Sequence, residues 1–223
     1  MGTVTLSKQN RLFWLGRYAE RVYTTVQIML RQYDSLIDGK SMDYAAFCRN
    51  MGVPCPYENG EDFCRRYLFD GTDPNSVRSS MDALLGNGMV LRETISTPTL
   101  AYLQMAQSAM ELAARSDGPG VELQWVLDDI MAFRGSFDDS VEQEATRNIT
   151  KSGTCVERIS LILRLNWQPE RLERELRIML NRLYKTDLSV DREALDVVSR
   201  RALDGDAVDG LTLLRSVEGL FLV

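Results

Sequence analysis

The chain has 223 residues, 44% of them apolar, with 26 Lys and Arg against 32 Asp and Glu and a formal charge of −6. That length can bury a substantial core, and the acidic balance does not suit an extended phosphate backbone, so nucleic acid is not an expected partner. Histidine is absent, which excludes a Ser-His-Asp or Cys-His constellation and any His-ligated zinc or iron site.

In chain order, Ser7 reads as an N-cap for a helix reaching about Ile37 and closed by Gly39. Leu12, Leu15, Ala19, Val22, Val26, Met29, Tyr33 and Leu36 fall at alternating steps of three and four. That is the seam of a long helix packed nearly parallel to a partner. A short helix is predicted near Met42–Asn50, followed by a break at Gly52–Pro56 and another helix over Glu61–Leu68. Asp73-Pro74-Asn75-Ser76 supplies a turn and an N-cap. The helix it opens has Val77, Met81, Leu84, Leu91 and Ile95 on its apolar side. Gly86 and Gly88 either weaken that helix or permit a close contact. Thr97-Pro98 starts the next helix, with Leu103, Ala106, Met110 and Ala113 on one stripe.

Asp117-Gly118-Pro119-Gly120 is the strongest linker signal. Beyond it a helix is predicted over Glu122–Phe133, a break at Arg134-Gly135-Ser136, and a long helix from about Ser140 to Leu165. Asp138 is expected to cap that helix rather than bind metal. Gln168-Pro169 begins a helix with Leu172, Leu176, Met179 and Leu183 in register, and Asp187 and Ser189 begin a further one. Leu211, Leu214 and Val217 mark a last helical segment. Period-two runs are lacking, so the fold class is all-α, a single helical bundle.

One signature occurs twice, as Gly16-Arg17-Tyr18-Ala19-Glu20-Arg21 and Gly153-Thr154-Cys155-Val156-Glu157-Arg158. Both read Gly-x-x-x-Glu-Arg. Around the second copy Ile149, Ser152, Val156, Ile159 and Leu163 repeat the register of the first. The coincidence implies two equivalent helices and is read as an internal duplication, with halves 1–116 and 121–223 in one domain spanning 1–223.

Phe13, Arg17, Glu20, Thr24, Gln27 and Arg31 form a second stripe, on which Arg17 and Glu20 are close enough to pair within the helix. Such a stripe is a solvated face, a buried network that fixes register, or a guanidinium groove for a carboxylate. All three readings stay open at this point. Arg92-Glu93 either joins a polar cluster with Glu20 or Glu157 or covers the surface. The run Arg171–Arg177 reads as a solvated face, and the 10 methionines as core filler. Cys48, Cys55, Cys64 and Cys155 lack zinc-knuckle spacing and read as reduced structural thiols, with Cys55 in an exposed loop between Pro54 and Pro56. No cofactor or metal is expected. No apolar stretch approaches the roughly 20 residues of a membrane span, and Met1–Arg11 lacks an apolar signal region, so a cytoplasmic location is expected.

These residues resemble the bacterial Alpha-E domain family, of which the chain is identified as a divergent or shortened member. Leu6-Ser7-Lys8 and Leu12-Phe13-Trp14-Leu15-Gly16-Arg17-Tyr18-Ala19-Glu20-Arg21 are similar to its opening helix. Tyr67-Leu68-Phe69-Asp70, Asp73–Val77 and Leu91–Ser96 match its second block. Phe133-Arg134-Gly135, Asp138, Ser140, Gly153 and Glu157-Arg158 match its third. Thr154 stands where that block usually has Arg, and the tail after Trp167 shows no clear copy of a further block.

The resemblance implies an accessory role beside ATP-grasp amide ligases or transglutaminase-like proteins, acting on peptide-like ligands. Arg17, Glu20, Arg21, Arg92, Glu93, Glu157 and Arg158 are the candidate binding residues, and none is assigned to catalysis. The alternatives are an enzyme with a carboxylate–guanidinium site built from Arg17, Glu20, Arg92, Glu157 and Arg158, and a purely structural bundle that assembles with copies of itself.

Overall fold

A computed structural model describes residues 4–37, 39 and 42–223. The side chains of Leu36 and Ile37, and with them the last position of the seam, lie outside the described residues. The described residues form eleven α-helices and no strand, with one isolated antiparallel bridge between Val190 and Phe221. The all-α expectation holds. No helix among them is long and apolar enough to cross a membrane.

The chain divides into two compact units, one formed by the chain up to Glu20 together with Glu142–Val223 and the other by Arg21–Val141. Helix α1 (Leu6–Ile37) contributes to both and starts one residue before the expected Ser7 cap. This division does not follow the halves 1–116 and 121–223. Asp117–Gly120 instead joins α6 (Thr97–Ala113) to α7 (Gly120–Ser140), which pack along each other within one unit.

In the unit Arg21–Val141, the short helices begin at side-chain caps. Asp43 accepts from Ala46 N at the start of α2 (Tyr44–Met51), and Asn59 accepts from Asp62 N at the start of α3 (Gly60–Phe69). Ser76 caps α4 (Val77–Val90) through Ser79 N. A single turn, α5 (Arg92–Ile95), precedes α6, where Ser96 at φ 72° caps through Thr99 N. The predicted apolar positions Val77, Met81, Leu84, Leu91, Ile95, Leu103, Ala106, Met110 and Ala113 are all buried. Phe63 sits among Tyr44, Phe47, Tyr57 and Tyr67, with ring centroids 5.0 to 5.9 Å away.

Gly88 is the close contact the sequence suggested. A Cβ there would lie 2.7 Å from a Leu103 methyl, whereas Gly86 faces open space. The expected break at Arg134-Gly135-Ser136 is absent, because α7 continues to Ser140. Phe133 and Phe137, four residues apart, are both buried, and Ser136 shares a 2.7 Å hydroxyl hydrogen bond with Thr99. Packing of that kind outweighs the roughly 1 kcal/mol helix penalty of one glycine. Asp138 therefore lies in the last turn of α7 rather than at the first position of α8. Gln143 occupies the cap position of α8 (Glu144–Leu165), its amide oxygen accepting from the Thr146 hydroxyl at 2.7 Å.

In the other unit, α8 packs on α9 (Leu172–Leu183) and α11 (Gly210–Gly219), and α10 (Arg192–Ser199) packs on α11. A 3-10 turn at Pro169–Arg171 leads into α9. The helix expected from Asp187 or Ser189 starts only at Arg192, with Asp191 as its cap. The preceding residues are extended, because Asp191 N and Ser189 O are bonded to Leu220 O and Leu222 N on either side of the Val190–Phe221 bridge. Leu12, Leu15, Val156, Ile159, Leu176, Met179, Val198, Leu213, Val217 and Leu220 are all buried there.

Candidate functional site

The repeated signature meets itself within the unit that ends at Glu20 and resumes at Glu142. A Cβ on Gly16 would overlap the carbonyl oxygen of Thr150, and one on Gly153 would overlap that of Phe13. Only glycine lets two helix backbones approach so closely, with Cα hydrogens directed at the facing carbonyls. Thr154 donates its hydroxyl to Gly16 O at 3.3 Å and to Thr150 O at 3.2 Å. The partners advance together along both helices: Phe13 with Gly153, Gly16 with Thr154, Arg17 with Glu157, Glu20 with Arg158. The two helices therefore run in the same direction, side by side, as the shared register implied.

The charged residues follow from that crossing. Arg17 and Glu20 do not pair within α1, as their spacing suggested. Arg17 instead donates across to Glu157, with both Nε and the terminal nitrogen 2.8 Å from Oε2. Arg158 donates through two nitrogens to the two oxygens of Glu20, each at 2.8 Å. That fork geometry is the strong form of the guanidinium–carboxylate contact. The Glu20 and Glu157 side chains are 2% and 3% exposed, so the stripe is no solvated face from Phe13 to Thr24, although it opens to solvent at Arg31. The Arg17 guanidinium also lies 4.8 Å over the Trp14 ring, a favourable cation–π distance.

A third carboxylate completes the cluster. Glu175 on α9 is fully buried and accepts from Arg158 at 3.1 Å, Arg171 at 3.2 Å and Arg174 at 3.4 Å. Burial opposes the Arg158 charge, but Glu20 and Glu175 together hold its guanidinium above its ordinary pKa. This corrects the solvated-face reading of Arg171–Arg177. Glu175 was legible in principle, since it stands three residues after Leu172 and four before Met179 on the apolar stripe. Arg177 reaches the Ala202 carbonyl at 3.1 Å, and Glu173 pairs with Arg201.

Arg21, Arg92 and Glu93 belong to the other unit. Arg92 forms its ion pair with the adjacent Glu93 at 3.2 Å, both strongly exposed, so this pair covers surface. Such a pair contributes about 0–1 kcal/mol.

Among the described residues no group of three or more Cys, Asp and Glu is placed to hold a metal ion. Cys48, Cys64 and Cys155 are buried and Cys55 is exposed. Burial pushes the Cys48 and Cys155 thiols up to about 12 and Cys64 to about 11. Native protein treated with a thiol reagent at pH 8 should therefore label rapidly at Cys55, with the other three reacting only after denaturation. Rapid labelling of Cys155 would contradict the burial. Because those thiols are raised in the fold, their contribution to stability is full below the usual thiol range and lost as pH climbs towards about 11–12.

The geometry defines an all-helical protein whose Glu-Arg signature is a reciprocal clamp between two parallel helices. A family model named Alpha-E, described as a predicted alpha-helical domain with a conserved ER motif, matches residues 8–220. The chain belongs to the Alpha-E family. The match runs through the tail beyond Trp167, where sequence reading found no clear block. No curated protein and no solved structure matches the chain significantly.

Proposed function

We infer that the protein is a non-catalytic helical accessory protein, which docks on an ATP-grasp-type amide ligase or holds its peptide-like product. The observation that carries this reading is the mutual neutralisation of the signature residues. Arg17 and Arg158 are engaged by Glu157 and Glu20 across α1 and α8, two of the groups a carboxylate–guanidinium enzyme would need for its substrate. A buried carboxylate that accepts two guanidinium hydrogen bonds is committed to that contact rather than to a substrate. The link to ligases rests on family membership.

The test has two arms. The purified chain should show no turnover with ATP or with peptide amides, and a tagged chain expressed with an adjacent ATP-grasp ligase should retain that ligase through purification. Turnover by the isolated chain that disappears in Glu157→Gln, with the helical circular dichroism intact, would replace this reading with the enzyme.

A further inference from the structure

Helices α6 and α7 pack along each other, and Leu103, Ala106, Met110, Leu123, Val126 and Ile130 on them are buried. Each helix also carries a second apolar stripe that is left exposed. On α6 it runs through Ala101, Met105 and Leu112 at helical spacing, and on α7 through Val121 and Trp125. Met105, Leu112 and Trp125 are each about half exposed, at 52%, 50% and 47%. Between the stripes lies a groove of about 560 Å³, with Trp125 and Met105 on its walls and Asp128 and Asp129 along one edge.

Isolated exposed apolar residues need no explanation, but a contiguous patch with a shaped groove and a tryptophan marks an interaction surface. The acidic edge selects the occupant. Asp128 accepts from the Gln124 amide at 2.8 Å, and no cation stands against Asp129 among the described residues. Burial and the neighbouring Asp128 raise the Asp129 carboxyl above its ordinary value, and an incoming cation would favour the ionised form against both. A second copy of this chain is a poor occupant, because a two-fold contact sets acidic edge against acidic edge.

We propose that the α6–α7 groove docks an amphipathic helix of a partner protein, whose apolar anchors seat on Trp125, Met105 and Leu112 and whose lysine or arginine meets Asp128 and Asp129. Anchors at one-turn spacing fit the two stripes, and a cation beside them fits the acidic rim. This surface deepens the docking role proposed above and rests on that reading for its partner. Peptide binding is measured without any ligase, so the two claims fail separately.

The probe is a fluorescein-labelled helical peptide of about 18 residues, with leucines at i, i+3, i+4 and i+7 flanked by lysines. A second peptide replaces the lysines by glutamates. Anisotropy titrations of the full chain should show the lysine peptide binding at least about tenfold more tightly than the glutamate peptide, with the difference shrinking as salt is added. Trp125→Ala should weaken both peptides about tenfold. Asp128→Asn with Asp129→Asn should weaken only the lysine peptide, and these surface amides leave the helices intact. Equal binding of the two peptides, no binding of either, or indifference to Trp125→Ala would overturn the proposal. So would a sedimentation dimer of the wild-type chain that Trp125→Asp dissociates, since the groove would then belong to a second copy.

Discussion

Replacing Glu20 by Ala is expected to lower stability by about 3 kcal/mol or more, read as a fall in the urea midpoint at unchanged m-value. Glu20 is 2% exposed and takes both forked nitrogens of Arg158. Its removal strands a three-quarters-buried guanidinium whose other partner, Glu175, is shared with Arg171 and Arg174. Glu173→Ala is the internal control. It breaks a pair with Arg201, which is 24% exposed, but Glu173 itself is 46% exposed against 2% for Glu20, so water takes the place of the lost carboxylate and the cost should stay below about 1 kcal/mol. Adding Arg158→Met to Glu20→Ala should recover part of the loss, because an apolar side chain in that place leaves no uncompensated charge. A Glu20→Ala loss below about 0.5 kcal/mol would show that the pair contributes no more than a surface contact.

Gly16→Ala and Gly153→Ala are each expected to cost about 3 kcal/mol, the upper end of overpacking penalties. The new methyl would overlap a carbonyl oxygen and lie 2.9 Å from its carbon, on Thr150 for Gly16 and on Phe13 for Gly153. Backbone carbonyls in regular helices cannot rotate aside, so the helices must separate, and the distances of both ion pairs lengthen with them. Gly135→Ala provides the contrast. It is a mid-helix glycine facing open space, and alanine there should stabilise by about 0.5–1 kcal/mol through helix propensity. Thermal melts of the three variants should therefore move in opposite directions. A neutral Gly16→Ala would mean that α1 and α8 are not held at this approach.

The sequence by itself determined the helical class and most of the core. Alternating three- and four-residue steps can be satisfied only by helices that bury one stripe, and Leu12, Leu15, Val22, Met81, Leu84, Leu103, Val156 and Ile159 are all buried where that pattern put them. It also determined the importance of Gly-x-x-x-Glu-Arg, because two copies in one register require matching surroundings. Tertiary structure alone decided what those residues touch. An i,i+3 pair and an interhelical pair leave the same mark in sequence, and the approach permitted at Gly16 and Gly153 brought Glu157 to Arg17 and Arg158 to Glu20. Packing likewise carried α7 through Gly135, where local propensity favoured a break, and drew Glu175 into the interior, where Arg158, Arg171 and Arg174 compensate it. Local signals act over a turn or two of helix. Choosing among partners more than a hundred residues away requires the chain to be folded.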